Sequence, residues 1–134
     1  MRHLALDLGD QRIGVAVSDA LGIVARPVKV FERASRKADF VLINGMIDEY
    51  GADIVICGLP LNMDGTEGSQ AEWVRDYTQA LSEAIAIPVA LWDERLTTED
   101  AKDILRAQGK AIEKDWLDAV AAAVILQSYL DAHA

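Results

Sequence analysis

Three segments of this chain place carboxylates where they could act together. Asp7 interrupts the apolar run LALDLG, Asp93 and Glu94 close IPVALWDE, and Asp118 lies in KDWLDAVAAAV with Asp115 three residues before it. A buried, unpaired charge costs several kcal/mol, so an acid inside an apolar strand calls for a cation, a hydrogen-bond donor or water. Carboxylates from separate elements converging on one point suit a hard divalent ion, Mg2+ or Mn2+, which takes oxygen ligands, keeps waters and is completed by substrate phosphate. Such ions activate a water and stabilise a leaving oxygen in phosphodiester hydrolysis. Only His3 and His133 are present, both near the ends, so a His-rich zinc centre is not expected. There is no P-loop and no G-x-G-x-x-G after a strand.

The elements that must position these acids follow from periodicity. Residues 3–9 and 12–18 alternate as two strands joined by a tight turn at Asp10–Gln11, and residues 25–31 form a third strand, with Pro27 favouring an edge. Ser35 caps a helix over 36–50 with Val41, Leu42, Met46 and Ile47 inward. DIVICGLP (53–60) has the continuous apolar run of a buried parallel strand. A helix over 69–85 presents Ala71, Val74, Thr78, Leu81 and Ile85, and 87–94 is a fifth strand. Thr97 with Asp100 fits a capping box and Gly109 a helix stop; the last helix covers 116–131. The fold class is α/β, with a five-stranded mixed sheet: an antiparallel three-strand meander, then parallel strands, flanked by helices.

The hairpin sharpens the case for Asp7. A two-residue turn pairs Leu8 with Ile13, Leu6 with Val15 and Leu4 with Val17 on one face. The other face has Asp7 opposite Gly14 and Ala5 opposite Ala16. Large side chains all go one way, and the small-residue floor around Asp7 is expected to leave room for an ion or a phosphate, since a core face would be filled to native density. At the second site, Asp93 and Glu94 point to opposite faces if the strand runs through them, so only one joins Asp7 and the other can pair with Arg95. At the third, Asp115 is a natural N-cap and Asp118 could complement the helix dipole. The small residues of AVAAAV let that helix approach the sheet, bringing a first-turn carboxylate over its end. Spacing alone leaves both choices open.

Phosphate contacts have weaker candidates. The loop GLPLNMDGTEGSQA carries Gly58, Gly65 and Gly68 ahead of a helix N-terminus, where backbone N–H groups could receive a phosphate. Arg26, Lys29, Arg33, Arg36 and Lys37 make residues 26–37 net +4 against Glu32, and Arg12 and Arg95 lie beside the acids.

Composition excludes several classes. At 134 residues, 51% apolar and 26% charged, the chain is expected to be one domain over 1–134. No apolar run approaches the roughly 20 residues that span a bilayer, and MRHLALDLGD becomes charged too soon for a secretory signal. One cysteine, Cys57, rules out a disulfide framework, fits a reducing cytoplasm and reads as a small core residue. The net charge of −9 argues against a basic DNA-coating protein but not against an enzyme that uses carboxylates to hold metal.

Together LDLGDQRIGVAVSD, GLPLNMDGTEGSQA, DERLTTEDA and DAVAAAVILQSYL, in this order across nearly the whole chain, resemble the YqgF family of bacteria, the RuvX-like Holliday junction resolvases. The resemblance implies a ribonuclease H-like nuclease domain over 1–134, metal-binding and catalytic acids at Asp7, Glu94 and Asp118, a glycine loop at Gly58–Gly68 and an Arg–Ile–Gly element at Arg12–Gly14. It also implies metal-assisted hydrolysis of phosphodiester bonds, in resolving four-way DNA junctions or in maturing the 5′ end of pre-16S rRNA. The expectation is a cytoplasmic, Mg2+- or Mn2+-dependent nuclease, forming a homodimer if it cuts junctions symmetrically. Two rivals remain: a non-catalytic RNA- or junction-binding module, and an actin-like ATP-phosphate binder, whose D-x-G hairpin is similar but whose fold needs a far longer chain.

Overall fold

The computed structural model describes residues 1–97 and 116–134. Its strands β1 (His3–Leu8), β2 (Arg12–Ser18) and β3 (Ala25–Glu32) form an antiparallel meander. Helix α1 (Arg36–Tyr50), β4 (Ile54–Leu59), α2 (Ser69–Ala84) and β5 (Val89–Asp93) follow. A single 3-10 turn spans Glu94–Leu96, and α3 (Leu117–Ala132) closes the described chain. The sheet order is β3-β2-β1-β4-β5, with β4 parallel to both β1 and β5.

The hairpin register is the one its residue sizes require. Leu8 faces Ile13, Asp7 faces Gly14, Leu6 faces Val15, Ala5 faces Ala16 and Leu4 faces Val17. Strand alternation then divides the sheet. One face buries Leu4, Leu6, Leu8, Ile13, Val15 and Val17 against α1 and α2, through Ile43, Met46, Val74, Tyr77 and Leu81. The other packs Ala5, Ala16 and Ile56 against α3, through Ala122, Ala123 and Leu126. Cys57 is fully buried in the first core, and burial pushes its thiol up to about 12.

Strand β3 is the outer strand expected from Pro27. The register of β2 with β3 shifts between Val15 and Ala16, where Lys29 and Pro27 are the partners and Val28 is the extra residue. Proline, lacking an N–H, is tolerated at such a bulge.

Helix α1 begins where Ser35 Oγ accepts a hydrogen bond from Ala38 N at 3.1 Å, and ends where Gly51 turns left-handed at φ 64°. Its phase differs from expectation. Val41 and Leu42 are exposed, and the inward positions are Asp39, Ile43, Met46 and Ile47. The reason is Asp39, which is buried because its carboxylate accepts hydrogen bonds from Tyr77 Oη at 3.1 Å and from Ala34 N at 2.9 Å. A satisfied acid takes the inward seat and turns two apolar neighbours to solvent. In α2 the expected face is observed, with Tyr77 added and Ile85 serving as the C-cap. The helix expected after Thr97, with Asp100 and Gly109, and the capping role of Asp115 lie outside the described residues. No helix among the described residues is long and apolar enough to cross a membrane.

Candidate active site

Asp7 sits one residue from the C-terminal end of the central strand, and its neighbours across the sheet are glycines. Gly14 is its partner in β2, and the β1–β4 register, which pairs Leu6 with Cys57, continues to Gly58 on the other side. Burial, then the negative charge of Glu94 and then that of Asp118, pushes the Asp7 carboxyl from 3.8 up to about 7.

The two acids at the end of β5 separate at once. The strand stops at Asp93, and Glu94 opens the 3-10 turn on the α3 side of the sheet, the side of Asp7 and Gly58. Asp93 caps that turn by accepting from Arg95 N at 2.9 Å and forms an ion pair with Arg95 Nη2 at 2.8 Å. The Arg95 bond holds the Asp93 carboxyl below its usual range. Glu94 turns inward over Gly58: a Cβ on Gly58 would come within 2.5 Å of Glu94 Oε1. Its carboxyl is raised by burial and by Asp93. Thr97 closes the turn, its N–H and Oγ1–H both donating to Glu94 O at 3.2 and 2.7 Å.

Asp118 arrives on the first turn of α3. Gly14 permits this approach: a Cβ there would overlap the Asp118 carbonyl and lie 2.7 Å from Ala119 N. The floor around Asp7 is therefore not open space, as its small residues suggested. It is covered by α3, and its smallness lets the helix backbone rest on the sheet. The room is beside it, in a cleft of about 390 Å³ with Asp7, Glu94 and Thr97 on one side and Leu117, Val120, Ala121, Val124 and Ile125 of α3 on the other. Asp118 opens onto a neighbouring recess with Gly9, Asp10, Gln11 and Arg12. There it accepts a hydrogen bond from Arg12 Nε at 3.0 Å.

The structure thus unites Asp7 and Glu94 in one cleft and sets Asp118 beside it, turned to Arg12. Among the described residues no three His, Cys, Asp or Glu side chains are grouped closely enough to hold a metal ion in this arrangement. The donor chemistry nevertheless fits a hard cation. Asp7 and Glu94 are oxygen donors raised by burial and by acidic neighbours, and neither makes a salt bridge among the described residues. A positive ion would relieve that repulsion.

The weaker candidates divide. Gly58 is buried in β4 rather than placed in a loop, and its role is to seat Glu94. Gly65 adopts φ 87° in the loop, near the Arg95 guanidinium, and Gly68 is the N-cap of α2. Arg95 also donates to Met63 O at 3.3 Å, tying the loop to the end of β5. Arg33 donates to the turn carbonyls of Gly9 and Asp10 at 3.2 and 2.8 Å and stacks over Trp73 at 4.2 Å. Arg36 pairs with Asp76 at 2.7 Å. Those two cations are engaged inside the fold, whereas Arg26, Lys29 and Lys37 are exposed. The apolar wall from α3 was not singled out in the sequence, because an Ala/Val/Ile helix reads equally well as plain core.

Comparison with known proteins agrees with this architecture. Residues 1–132 match the family described as RuvX, Holliday junction resolvase. A protein of Thermoanaerobacter pseudethanolicus named "Putative pre-16S rRNA nuclease" is 45% identical over 134 residues, covering 98% of this chain and 96% of its own. A protein of the same name from Myxococcus xanthus is 44% identical, covering 99% and 89%. Among solved structures, T. thermophilus RuvC in complex with a Holliday junction substrate superposes with a TM-score of 0.67 at 14% identity, covering 99% of this chain and 96% of that one. The fowlpox virus resolvase with Holliday junction DNA gives 0.57 at 13% identity, covering 99% of each chain. The fold is that of the ribonuclease H-like resolvases, and the chain belongs to the RuvX family, a family of nucleases that hydrolyse phosphodiester bonds.

Proposed function

We propose that this chain is a divalent-metal-dependent nuclease of structured nucleic acid, with Asp7, Glu94 and Asp118 as the residues that hold Mg2+ or Mn2+. One observation carries the proposal: three acids from β1, the end of β5 and the first turn of α3 meet at one end of the sheet, at a cleft and its adjoining recess. An ion bound there would supply an activated water and charge stabilisation at the scissile phosphate.

The remaining steps belong to the chain itself. Asp7, whose carboxyl is raised to about 7 by burial, Glu94 and Asp118, would give up its proton as the cation binds, so metal binding is coupled to proton release near neutral pH. The apolar wall of α3 keeps water away from one side of the carboxylates, which strengthens their field. Arg95, held by Asp93 and Met63 O, and the exposed Arg26, Lys29 and Lys37 are available to phosphates flanking the cut.

The names of the relatives favour pre-16S rRNA as substrate. The family description favours the four-way junction as the second reading, and symmetric junction cutting would then require a homodimer. Purified protein offered precursor rRNA and a four-way junction side by side, with Mg2+ or Mn2+, is expected to give metal-dependent product from at least one of them. Binding without product would instead identify a non-catalytic recognition module. If Asp7→Asn still cleaves with full metal dependence, the site is misplaced.

A further inference from the structure

The ion pair between Arg12 and Asp118 poses a question that the proposed site does not answer. Asp118 is spent on a cation of its own chain, whereas Asp7 and Glu94 have none among the described residues. The backbone of Asp118 cannot move toward the sheet to correct this, because α3 rests on the main chain at Gly14. The side chain does have freedom. Its carboxylate is about one-third exposed and the Arg12 side chain about half, at 32% and 46%. Arg12 lies at the first position of β2, next to the hairpin turn, and bonds Asp118 through Nε alone. Its two terminal nitrogens have no partner among the described residues, and Arg12 lines the recess together with Gly9, Asp10 and Gln11.

We propose that Arg12 is a substrate-operated latch: it holds Asp118 away from the carboxylate cleft until a phosphodiester binds the guanidinium, whereupon Asp118 rotates to complete the acid set. The proposal rests on the assignment of Asp118 to the metal site. Its physical basis is an exchange of partners. A guanidinium binds phosphate as a fork, with two parallel N–H donors, and the terminal nitrogens are the ones left unused. The bond given up is a half-exposed ion pair that solvent weakens, so a charge-assisted contact to phosphate can displace it. Metal affinity and substrate affinity then become linked through a single side chain, and the linkage is reciprocal. The free protein holds metal loosely, which limits hydrolysis away from the substrate.

The test measures binding without turnover. Calorimetric titration with Mn2+ alone compares wild type, Arg12→Gln, Asp118→Asn and the double variant. A second titration, in EDTA, measures binding of a labelled four-way DNA junction. Arg12 is half-exposed, so its variants are expected to fold, and a thermal melt checks this. If Arg12 is the latch, Arg12→Gln binds Mn2+ about two- to fivefold more tightly, the worth of the ion pair it loses. The same substitution gives little gain in the Asp118→Asn background, where no latch remains to be opened. Junction binding by Arg12→Gln weakens, and its salt dependence falls by about one phosphate contact. Equal gains in both backgrounds would mean that Arg12 acts only as a nearby charge, and would overturn the latch. No gain from Arg12→Gln, with Asp118→Asn still weakening Mn2+ binding, would overturn the latch and leave the metal site standing. Unchanged Mn2+ affinity in Asp118→Asn would remove Asp118 from the site and the latch with it.

Discussion

The two faces of the central hairpin are made by the same two strands and teach opposite lessons. Toward α1 and α2, Leu4, Leu6, Leu8, Ile13, Val15 and Val17 hold the helices off the sheet with large side chains. Toward α3, Ala5, Ala16 and Gly14 bring a helix backbone onto the strands. The first face is a spacer whose bulk drives folding through burial. The second is a contact surface whose lack of bulk sets where Asp118 stands relative to Asp7. Stability and site geometry are thus assigned to opposite sides of one sheet, and substitutions should separate them.

The sharpest separation is Asp7→Asn. Removing a proposed metal ligand should lower cleavage by about a thousandfold or more, measured under single-turnover conditions. The same substitution should make the metal-free protein more stable at pH 8, since it removes a carboxylate that burial, Glu94 and Asp118 disfavour. The sign follows from the raised value. The folded state keeps a proton on Asp7 up to about pH 7, whereas the unfolded chain releases it near 3.8. The contribution of this group to stability is therefore complete below 3.8 and lost as the pH rises through 7. The melting temperature of Asp7→Asn minus that of wild type, in EDTA, should be near zero at pH 4 and grow to a plateau above pH 7. Asp19, Asp64 and Asp93, whose carboxyls are lowered, act below 3.8 in both proteins and cancel in the difference. A flat difference would mean that Asp7 carries no burial penalty.

Next come two substitutions of comparable cost to folding and different cost to the site. Leu6→Ala, fully buried on the spacer face, should destabilise by about 2–5 kcal/mol yet leave Mn2+ affinity of the folded protein unchanged. Gly14→Ala adds one carbon against the Asp118 carbonyl and Ala119 N, both main chain. Nothing there can yield except the helix, so a loss of about 1–3 kcal/mol or more is expected, together with loss of Mn2+ binding. Chemical denaturation paired with metal titration distinguishes the two. If Gly14→Ala binds Mn2+ as wild type does, the approach of α3 does not govern the site.

Much of this division was legible in the letters. The sorting of Leu, Ile and Val from Gly, Ala and Asp along LALDLGDQRIGVAVSD determined the register, and the register put Asp7 among small residues. What could not be read was the meaning of that bareness. Small residues signal either open space or a close neighbour, and the neighbour here lies about a hundred positions along the chain. The resemblance to the YqgF family singled out Glu94 over Asp93, and the structure supplies a physical reason in the pairing of Asp93 with Arg95. Helix α1 misled for the converse reason: a charged letter, Asp39, took an inward place because Tyr77, 38 residues on, offers it a hydrogen bond. The basic run 26–37 hid a similar split, since nothing local shows that Arg33 is engaged by turn carbonyls and Trp73 while Lys29 stays exposed.

The finest test of the comparison uses the second glycine beside Asp7. A Cβ on Gly58 would lie 2.5 Å from Glu94 Oε1, 2.7 Å from Ile125 Cδ1 and 2.9 Å from Glu94 Cγ. These atoms belong to side chains, unlike the main-chain atoms over Gly14, so the structure can adapt by turning Glu94 and Ile125 to other rotamers at about 1 kcal/mol. The fold should survive Gly58→Ala with a small loss of melting temperature. Glu94, however, adapts by leaving its place, and a displaced support typically weakens metal binding by about ten- to a hundredfold. Gly58→Ala is thus expected to be an affinity variant and Gly14→Ala a folding variant, although both add one methyl group next to the same aspartate. Raising Mn2+ should restore cleavage by Gly58→Ala and not by Glu94→Gln, because the first variant still owns the carboxylate and the second does not. Should excess Mn2+ fail to rescue Gly58→Ala while its melting curve stays near wild type, Glu94 is not the group that Gly58 positions.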